Sequence, residues 1–231
     1  MFLSKIQFMK LIFLFVLSLA FVLPIAAQNE QAPIVDKDIK YQNWKYPTVR
    51  DISKELDLRE LSAGKKLVVV VYFAPWCPNW RFDAPKLEAF YKKYQAQGLE
   101  IVGVGEYDPV DSMKTNLNSL GITFPVVYES VSRAQRGATK HSEYRKGTGD
   151  KRYTGSPWYI LLDPAKYSKD GDTLVKSADV INGEMIMTEG EAYIRKALGL
   201  PAEDAAKKPQ PAATAAIEAC DPNKPTAIKK P

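Results

Sequence analysis

The chain has 231 residues, of which 45% are hydrophobic and 26% are charged, and its formal net charge is +5. This composition is typical of a globular protein and excludes a wholly disordered, collagen-like or multi-spanning membrane protein. Lys5 and Lys10 supply two of the positive charges, so residues 28–231 carry only +3, too little to indicate a nucleic-acid-binding protein. One histidine and two cysteines exclude histidine-rich metal sites and a disulfide-rich framework. We predict no cofactor and no bound metal.

The first 27 residues have the pattern of a secretory signal peptide. Two lysines precede an apolar run over residues 11–23, and Pro24 and small residues follow it. The run is shorter than the ~20 apolar residues that a membrane-spanning helix needs, so an uncleaved anchor is the weaker alternative. We therefore predict an exported protein of the periplasm or another extracytoplasmic compartment, where thiols can be oxidised. Membrane contact is expected only if this segment is retained.

The rest of the chain divides into three parts by composition. Residues 28–44 are polar without a clear period and predict a flexible leader. Residues 201–231 are rich in alanine, proline and lysine and predict a disordered tail. The folded domain is therefore predicted over residues 45–200.

Within this predicted domain, strand-like and helix-like segments alternate. Apolar runs predict five strands, at residues 67–73, 99–104, 124–128, 158–162 and 174–181. Apolar residues at helical spacing predict helices that end near Gly98 and Gly121. A capping box of Thr188 and Glu191 predicts the start of a last helix, which ends at Gly199. The early strands should pair in parallel and the last two as a hairpin, so the fold class is α/β, a mixed central sheet with helices on both faces.

The position with the clearest chemistry is Cys77, which follows the first buried strand in the segment FAPWCPNW, residues 73–80. A cysteine where a strand passes into a helix meets backbone N–H groups and the positive end of the helix dipole, which both stabilise the thiolate. Lowering the thiol pKa from about 8.5 to about 7 would raise the thiolate fraction at pH 7 from about 3% to about half. We therefore expect an exposed nucleophile; the alternative is a buried, inert cysteine.

The segment around Cys77 resembles the active site of the thioredoxin superfamily, in particular the exported thiol-disulfide oxidoreductases of the TlpA/ResA type. Residues 71–78 (VYFAPWCP) are similar to the approach to the catalytic cysteine, and Pro85 stands where the family has a kink proline. Residues 124–127 (FPVV) resemble a family strand, and residues 154–157 (TGSP) resemble the loop whose cis-proline faces that cysteine. The resemblance implies a thioredoxin-like fold. The active-site environment it implies is Trp76, Pro78, Asn79, Trp80, Asp83, Ser156 and Pro157.

This chain departs from the family motif Cys-x-x-Cys, because Trp80 stands in place of the second cysteine. Trp80 cannot resolve a mixed disulfide, so we expect it to shield the sulfur of Cys77 or to offer a flat apolar contact to a partner. Asp83 stands where the ResA-like branch has an acidic residue, but it is equally well explained as a carboxylate on the helix surface.

Three uses of Cys77 remain open. An external thiol could resolve the mixed disulfide, Cys77 could hold a partner without turnover, or Cys220 in the tail could be the resolving cysteine. Cys220 could instead form a structural disulfide with Cys77 or pair between molecules.

Residues 131–152 form a basic stretch with a net charge of +5 that leads into Pro157. We expect it either to border the active site and favour acidic partners or to be a solvated loop insertion. His141 within it is expected to be an exposed residue, and we do not assign it as a copper ligand.

The sequence therefore predicts a thiol-disulfide oxidoreductase of monothiol type, which acts on protein or small-molecule thiols and disulfides through Cys77 by mixed-disulfide exchange. The alternative is a non-catalytic binding or chaperone-like module of the same fold that has lost redox turnover.

Overall fold

The computed structural model describes residues 31–202. The strands in this range are β1 (Gln31–Ala32), β2 (Val35–Gln42), β3 (Lys45–Pro47), β4 (Glu55–Asp57), β5 (Leu67–Phe73), β6 (Leu99–Gly105), β7 (Val126–Tyr128), β8 (Trp158–Leu162), β9 (Thr173–Ile181) and β10 (Glu184–Met185). The α-helices are α1 (Leu58–Leu61), α2 (Pro78–Tyr94), α3 (Val110–Ser119), α4 (Lys140–Gly147) and α5 (Met187–Leu198). The predicted signal peptide and nearly all of the predicted tail lie outside the described residues.

A six-stranded sheet in the order β2-β9-β8-β5-β6-β7 forms the centre of the molecule. Strands β5, β6 and β7 are parallel, whereas β8, β9 and β2 continue the sheet in antiparallel pairs. Every residue of β5 and β6 is buried, as expected for strands that are covered on both faces. The predicted parallel pairing and late hairpin are confirmed.

Helices cover both faces of this sheet. On one face, Leu87 of α2, Leu117 of α3 and Ile194 of α5 belong to one apolar cluster. On the other face, Leu58 of α1 and Tyr144 of α4 belong to a second cluster. The predicted fold class is therefore confirmed. No helix within residues 31–202 combines the length and the apolar character needed to cross a bilayer.

The end of β6 packs closely against α3. A side chain on Gly105 would bring its Cβ to 2.6 Å from the Sδ atom of Met113, so the Met113 side chain would have to shift. Glycine at this position therefore lets α3 approach the carboxyl end of the parallel strands, where the candidate site lies.

The prediction of a flexible leader over residues 28–44 is wrong for most of that range. Strand β2 pairs with β9 along the sheet edge, and Ile39 and Tyr41 on one of its faces are buried. The charged residues that made this segment look featureless occupy its exposed face, including Lys40 and Asp38. The folded unit therefore begins before residue 45.

Two kinds of helix signal had different outcomes. Gly98, Gly121 and Gly199 have φ values of 107°, 65° and 73°, so the predicted helix ends are confirmed. The predicted capping box is wrong, because α5 begins at Met187 and makes no side-chain cap hydrogen bond. Glu191 instead accepts a hydrogen bond from the hydroxyl of Tyr94 at 2.9 Å, which fixes α5 against α2.

Candidate active site

Cys77 lies at the junction between β5 and α2, where it is the N-cap residue of the helix. Its N–H donates to the carbonyl oxygen of Ala74 at 3.0 Å, and its own carbonyl oxygen accepts from the N–H of Arg81 at 3.2 Å. Pro78 occupies the first helical position, which needs no N–H donor. Asn79 follows and is buried. The local sequence thus sets the sulfur at the positive end of a 17-residue helix.

A second loop contacts this junction from β8. The Ser156–Pro157 peptide bond is cis. The carbonyl oxygen of Ser156 lies 3.0 Å from the Sγ atom of Cys77. The Ser156 hydroxyl accepts a hydrogen bond of 2.9 Å from the N–H of Ala74. One residue therefore contacts both the sulfur and the loop that carries it.

Cys77 has no exposed surface and is disulfide-bonded in this structure. The prediction of an exposed thiol is therefore wrong for this oxidised state, in which the sulfur carries no titratable proton. The other cysteine of the chain is Cys220, which lies outside the described residues.

Trp80 is fully buried in the core beneath the site. Its ring stacks on Phe73 with centroids 4.1 Å apart, and its Nε1–H donates to Oδ1 of Asn116 at 2.9 Å. The predicted contact with a partner is wrong, because the third position of this helix points into the sheet and leaves no surface of the indole exposed.

Asn116 connects α3 to the loop before Cys77. Besides accepting from Trp80, it donates from Nδ2 to the carbonyl oxygen of Pro75 at 3.2 Å. Nε of Arg81 donates to the same carbonyl oxygen at 3.0 Å. An open cavity of about 580 Å³ adjoins this loop, lined by Pro75, Trp76, Arg81, Asp108, Asp111, Ser112, Thr115, Asn116, Ser119 and Leu120. Sequence reasoning missed Asn116, although a buried polar residue beside the apolar stripe of Met113 and Leu117 is a usable signal.

The basic stretch borders Trp76, the residue before Cys77. The guanidinium carbon of Arg133 lies 4.6 Å from the Trp76 ring centroid, and that of Arg136 lies 6.0 Å from it. The expectation that this stretch borders the active site is confirmed. The alternative of a solvated loop insertion is wrong, because the stretch contains α4 with buried side chains.

Arg145 of α4 is a buried cation that ties this helix to the cis-proline loop. Its Nη1 donates to the carbonyl oxygen of Gly155 at 2.6 Å, and its Nε donates to Asp150 at 2.8 Å. Its guanidinium also lies over the Trp158 ring at 5.9 Å. Sequence reasoning grouped Arg145 with the surface cations, because nothing local distinguishes a buried arginine until its partners are known.

His141 is also buried, so the prediction of an exposed histidine is wrong. Its Nδ1 lies 2.5 Å from Oε2 of Glu106, and its ring stacks between Tyr72 and Trp158 at 4.9 and 5.1 Å. Burial lowers the pKa of His141 well below 6.5 and raises the pKa of Glu106 to about 8. Burial therefore disfavours the charged form of both groups in this pair. No group of three metal-binding side chains occurs within residues 31–202.

Asp83 lies in the second turn of α2 and is completely buried. The hydroxyl of Tyr159 donates to its Oδ2 at 2.6 Å, the N–H of Met185 donates at 2.9 Å, and Nζ of Lys86 lies 4.0 Å from Oδ1. Burial raises the pKa of Asp83 from 3.8 to about 6, although its two hydrogen bonds oppose this rise. The alternative explanation of Asp83 as a surface carboxylate is wrong.

Asp83→Asn is expected to change the pH dependence of stability. The folded state holds the Asp83 proton more tightly than the unfolded state, so this group costs stability as pH rises from about 4 through about 6. The free energy of unfolding of the wild type, minus that of Asp83→Asn, should therefore fall by about 2–3 kcal/mol between pH 4 and pH 7. Urea unfolding of both proteins at pH 4 and pH 7 measures this difference in the free energy of unfolding. A difference that is constant with pH would show that Asp83 is ionised with an ordinary pKa.

The chain matches the AhpC/TSA family over residues 37–143. Two curated relatives are named thiol-disulfide oxidoreductase ResA. The protein from Halalkalibacterium halodurans is 29% identical over 76 residues, which cover 33% of this chain and 42% of the relative. The protein from Bacillus thuringiensis is 25% identical over 143 residues, which cover 62% of this chain and 69% of the relative. The match thus spans less than half of the first relative and just over two thirds of the second.

A solved thiol:disulfide interchange protein of the thioredoxin family, from Chlorobium tepidum, has a similar fold. It is 21% identical, covers 71% of this chain and 98% of its own length, and gives a TM-score of 0.50. The predicted thioredoxin-like fold is confirmed, and so is the predicted resemblance to the ResA-type oxidoreductases.

Proposed function

We propose that this thioredoxin-fold protein is an extracytoplasmic thiol-disulfide oxidoreductase that works through Cys77, the single cysteine among residues 31–202. The observation that carries the proposal is the position of the Cys77 sulfur, at the N-terminus of α2 and 3.0 Å from the Ser156 carbonyl oxygen of the cis-proline loop. The names of the ResA relatives support the reaction class.

In the reduced protein, the helix N-terminus favours the thiolate of Cys77. This thiolate attacks a substrate disulfide, so that the substrate S–S bond breaks and a mixed disulfide with Cys77 forms. The departing substrate sulfur leaves as a thiolate and takes a proton from water. Trp80 stands three residues after Cys77, where the resemblance implies a second cysteine, so no thiol within residues 31–202 completes the exchange.

Two external thiols, such as glutathione, then complete the cycle. The first attacks Cys77 and releases the second substrate thiol, and the next attacks the bound external sulfur and restores the Cys77 thiolate. In total, one substrate disulfide gains two electrons and becomes two thiols, while two external thiols become one disulfide.

The surroundings of the sulfur suit an extended polypeptide substrate. The resemblance to the thioredoxin superfamily implies that the substrate backbone runs beside Pro157, and the 580 Å³ cavity beside Trp76 offers space for its side chains. The guanidinium groups of Arg133 and Arg136 at Trp76 favour substrates with acidic residues near the reacting cysteine.

Export of the protein is part of the proposal. The signal-peptide pattern over residues 1–27 supports it. A disulfide-bonded Cys77 also suits an oxidising compartment.

A non-catalytic binding or chaperone-like module is the second candidate. The complete burial of Cys77 favours it, because a buried sulfur is out of reach of a substrate disulfide. The place of Trp80 in the core also favours it, because Trp80 serves packing and contributes nothing to redox turnover. The two candidates differ in whether Cys77 forms a mixed disulfide when its thiol is available.

Trapping of that mixed disulfide tests the proposed function. We expect reduced Cys220→Ser protein, mixed at neutral pH with a disulfide-linked peptide dimer, to gain the mass of one peptide at Cys77. Peptide mapping and intact mass under non-reducing conditions measure the adduct. The matched control, Cys77→Ser combined with Cys220→Ser, should gain no mass. Folded Cys220→Ser protein that has a titratable thiol but forms no adduct would contradict the proposal and favour the binding module.

A further inference from the structure

Three arginines border the active site on both sides of Cys77, and we call Arg133, Arg136 and Arg152 the basic surface. Arg133 and Arg136 lie over the ring of the residue that precedes Cys77. The backbone of Arg152 lies on the other side, where its carbonyl oxygen accepts a 2.8 Å hydrogen bond from the N–H of Gly155 in the cis-proline loop. Its guanidinium donates from Nη2 to the carbonyl oxygen of Asn182 at 2.7 Å, and the carboxylate of Asp150 offsets part of its charge. Asp108 faces Arg133 and offsets part of its charge. The basic surface therefore attracts negative charge from both sides of the sulfur.

The sequence around Cys220 carries the complementary charge. Glu218 and Asp221 lie within two residues of this cysteine, whereas the nearest lysine, Lys224, is four residues away. This acidic, cysteine-containing stretch over residues 217–222 has the chemistry that the basic surface favours in a substrate.

The chain between the folded domain and Cys220 is long enough to reach the site. Seventeen residues lie between Ala202 and Cys220, and an extended chain over this distance spans up to about 60 Å. A domain of the size of residues 31–202 is about 40 Å across. The chain before Cys220 is therefore long enough to reach most of the surface of its own domain.

Cys77 is disulfide-bonded, and Cys220 is the other cysteine of this chain. We propose that residues 217–222 dock on the basic surface through Glu218 and Asp221 and present Cys220 as the disulfide partner of Cys77. This inference rests on the proposed function and adds an internal resolving thiol to it.

The docked cysteine completes the exchange within one molecule. After Cys77 has formed a mixed disulfide with the substrate, the thiolate of Cys220 attacks the Cys77 sulfur and the substrate leaves as its second thiol. The substrate gains two electrons and becomes a dithiol, and the protein loses two electrons and forms the Cys77–Cys220 disulfide. A dithiol reductant reopens this bond before the next cycle. Charge pairing raises the effective concentration of Cys220 at Cys77 and so speeds the resolving step.

The rate of this internal step tests the inference in full-length protein. Reduced protein is mixed with oxidised glutathione and quenched with acid, and mass spectrometry then follows conversion of the glutathione adduct at Cys77 into the linked Cys77–Cys220 peptide. Glu218→Lys with Asp221→Lys is expected to slow this conversion by about three- to tenfold at low salt. The matched control, Glu203→Lys with Asp204→Lys, reverses two acids of the same tail far from Cys220 and should leave the rate unchanged. Adding Arg133→Glu and Arg136→Glu to the slow variant should restore part of the rate.

The outcomes separate this inference from the proposed function. Absence of a linked Cys77–Cys220 peptide in oxidised wild-type protein, or equal rates in the two pairs of lysine variants, would overturn the docking of the tail. Peptide trapping by Cys220→Ser does not involve the tail cysteine, so its success or failure reports on the proposed function alone.

Discussion

Cys77→Ser is expected to reduce the turnover of a disulfide substrate, with glutathione as the reductant, by about three orders of magnitude or more. A serine hydroxyl has nearly the size of the thiol but cannot form the S–S bond on which every step of the exchange depends. The remaining rate should equal that of the uncatalysed reaction between glutathione and the substrate. Release of substrate thiol, measured with and without protein, gives this rate.

Cys220→Ser is the control for this loss. It removes the other sulfur of the chain but leaves the Cys77 thiolate, and glutathione can still resolve the mixed disulfide. We therefore expect reduced but measurable turnover. Comparable turnover by Cys77→Ser and the wild type would eliminate Cys77 as the catalytic residue. Both variants should be compared under reducing conditions, because each also removes any disulfide between the two positions.

Trp80→Ala is expected to lower the free energy of unfolding by about 3–5 kcal/mol. The change removes the buried ring that stacks on Phe73 and leaves a cavity under the active-site loop. It also leaves Oδ1 of Asn116 without the indole donor that lies 2.9 Å away. Urea unfolding of the reduced proteins measures the loss.

Two further variants separate the parts of this effect. Trp80→Phe keeps an aromatic ring against Phe73 but removes the Nε1–H donor, so we expect an intermediate loss of about 1–3 kcal/mol. Phe82→Ala removes an aromatic ring from the same helix at a position that is 38% exposed, and it should cost about 1 kcal/mol or less. If Trp80→Ala cost no more than Phe82→Ala, the packing of Trp80 described above would be wrong.

The contacts of Trp80 give a physical reason why the loop before Cys77 keeps its shape. Its indole links β5, through Phe73, to α3, through Asn116, and Asn116 also holds the carbonyl oxygen of Pro75. The loop that carries Cys77 is therefore held by core contacts. This arrangement is compatible with exchange at one domain sulfur, provided that the resolving thiol comes from outside the domain.

The sequence alone determined five of the six strands of the central sheet, three helix ends and the place of Cys77. These features depend on local patterns. A continuous apolar run such as β5 predicts a strand that is covered on both faces. A cysteine shortly after that run lies where the strand meets the next helix. The cis-proline loop came from a resemblance, because Ser156 and Cys77 are 79 residues apart.

Only the tertiary structure decided which polar residues are buried. Asp83 meets Tyr159 across 76 residues, and Glu106 meets His141 across 35. A charged side chain looks the same in sequence whether water or a distant partner surrounds it, because the cost of its burial is offset by groups that folding alone brings near. The prediction of a flexible leader at β2 failed for the same reason, because the apolar face of β2 is buried only when the strand pairs with β9.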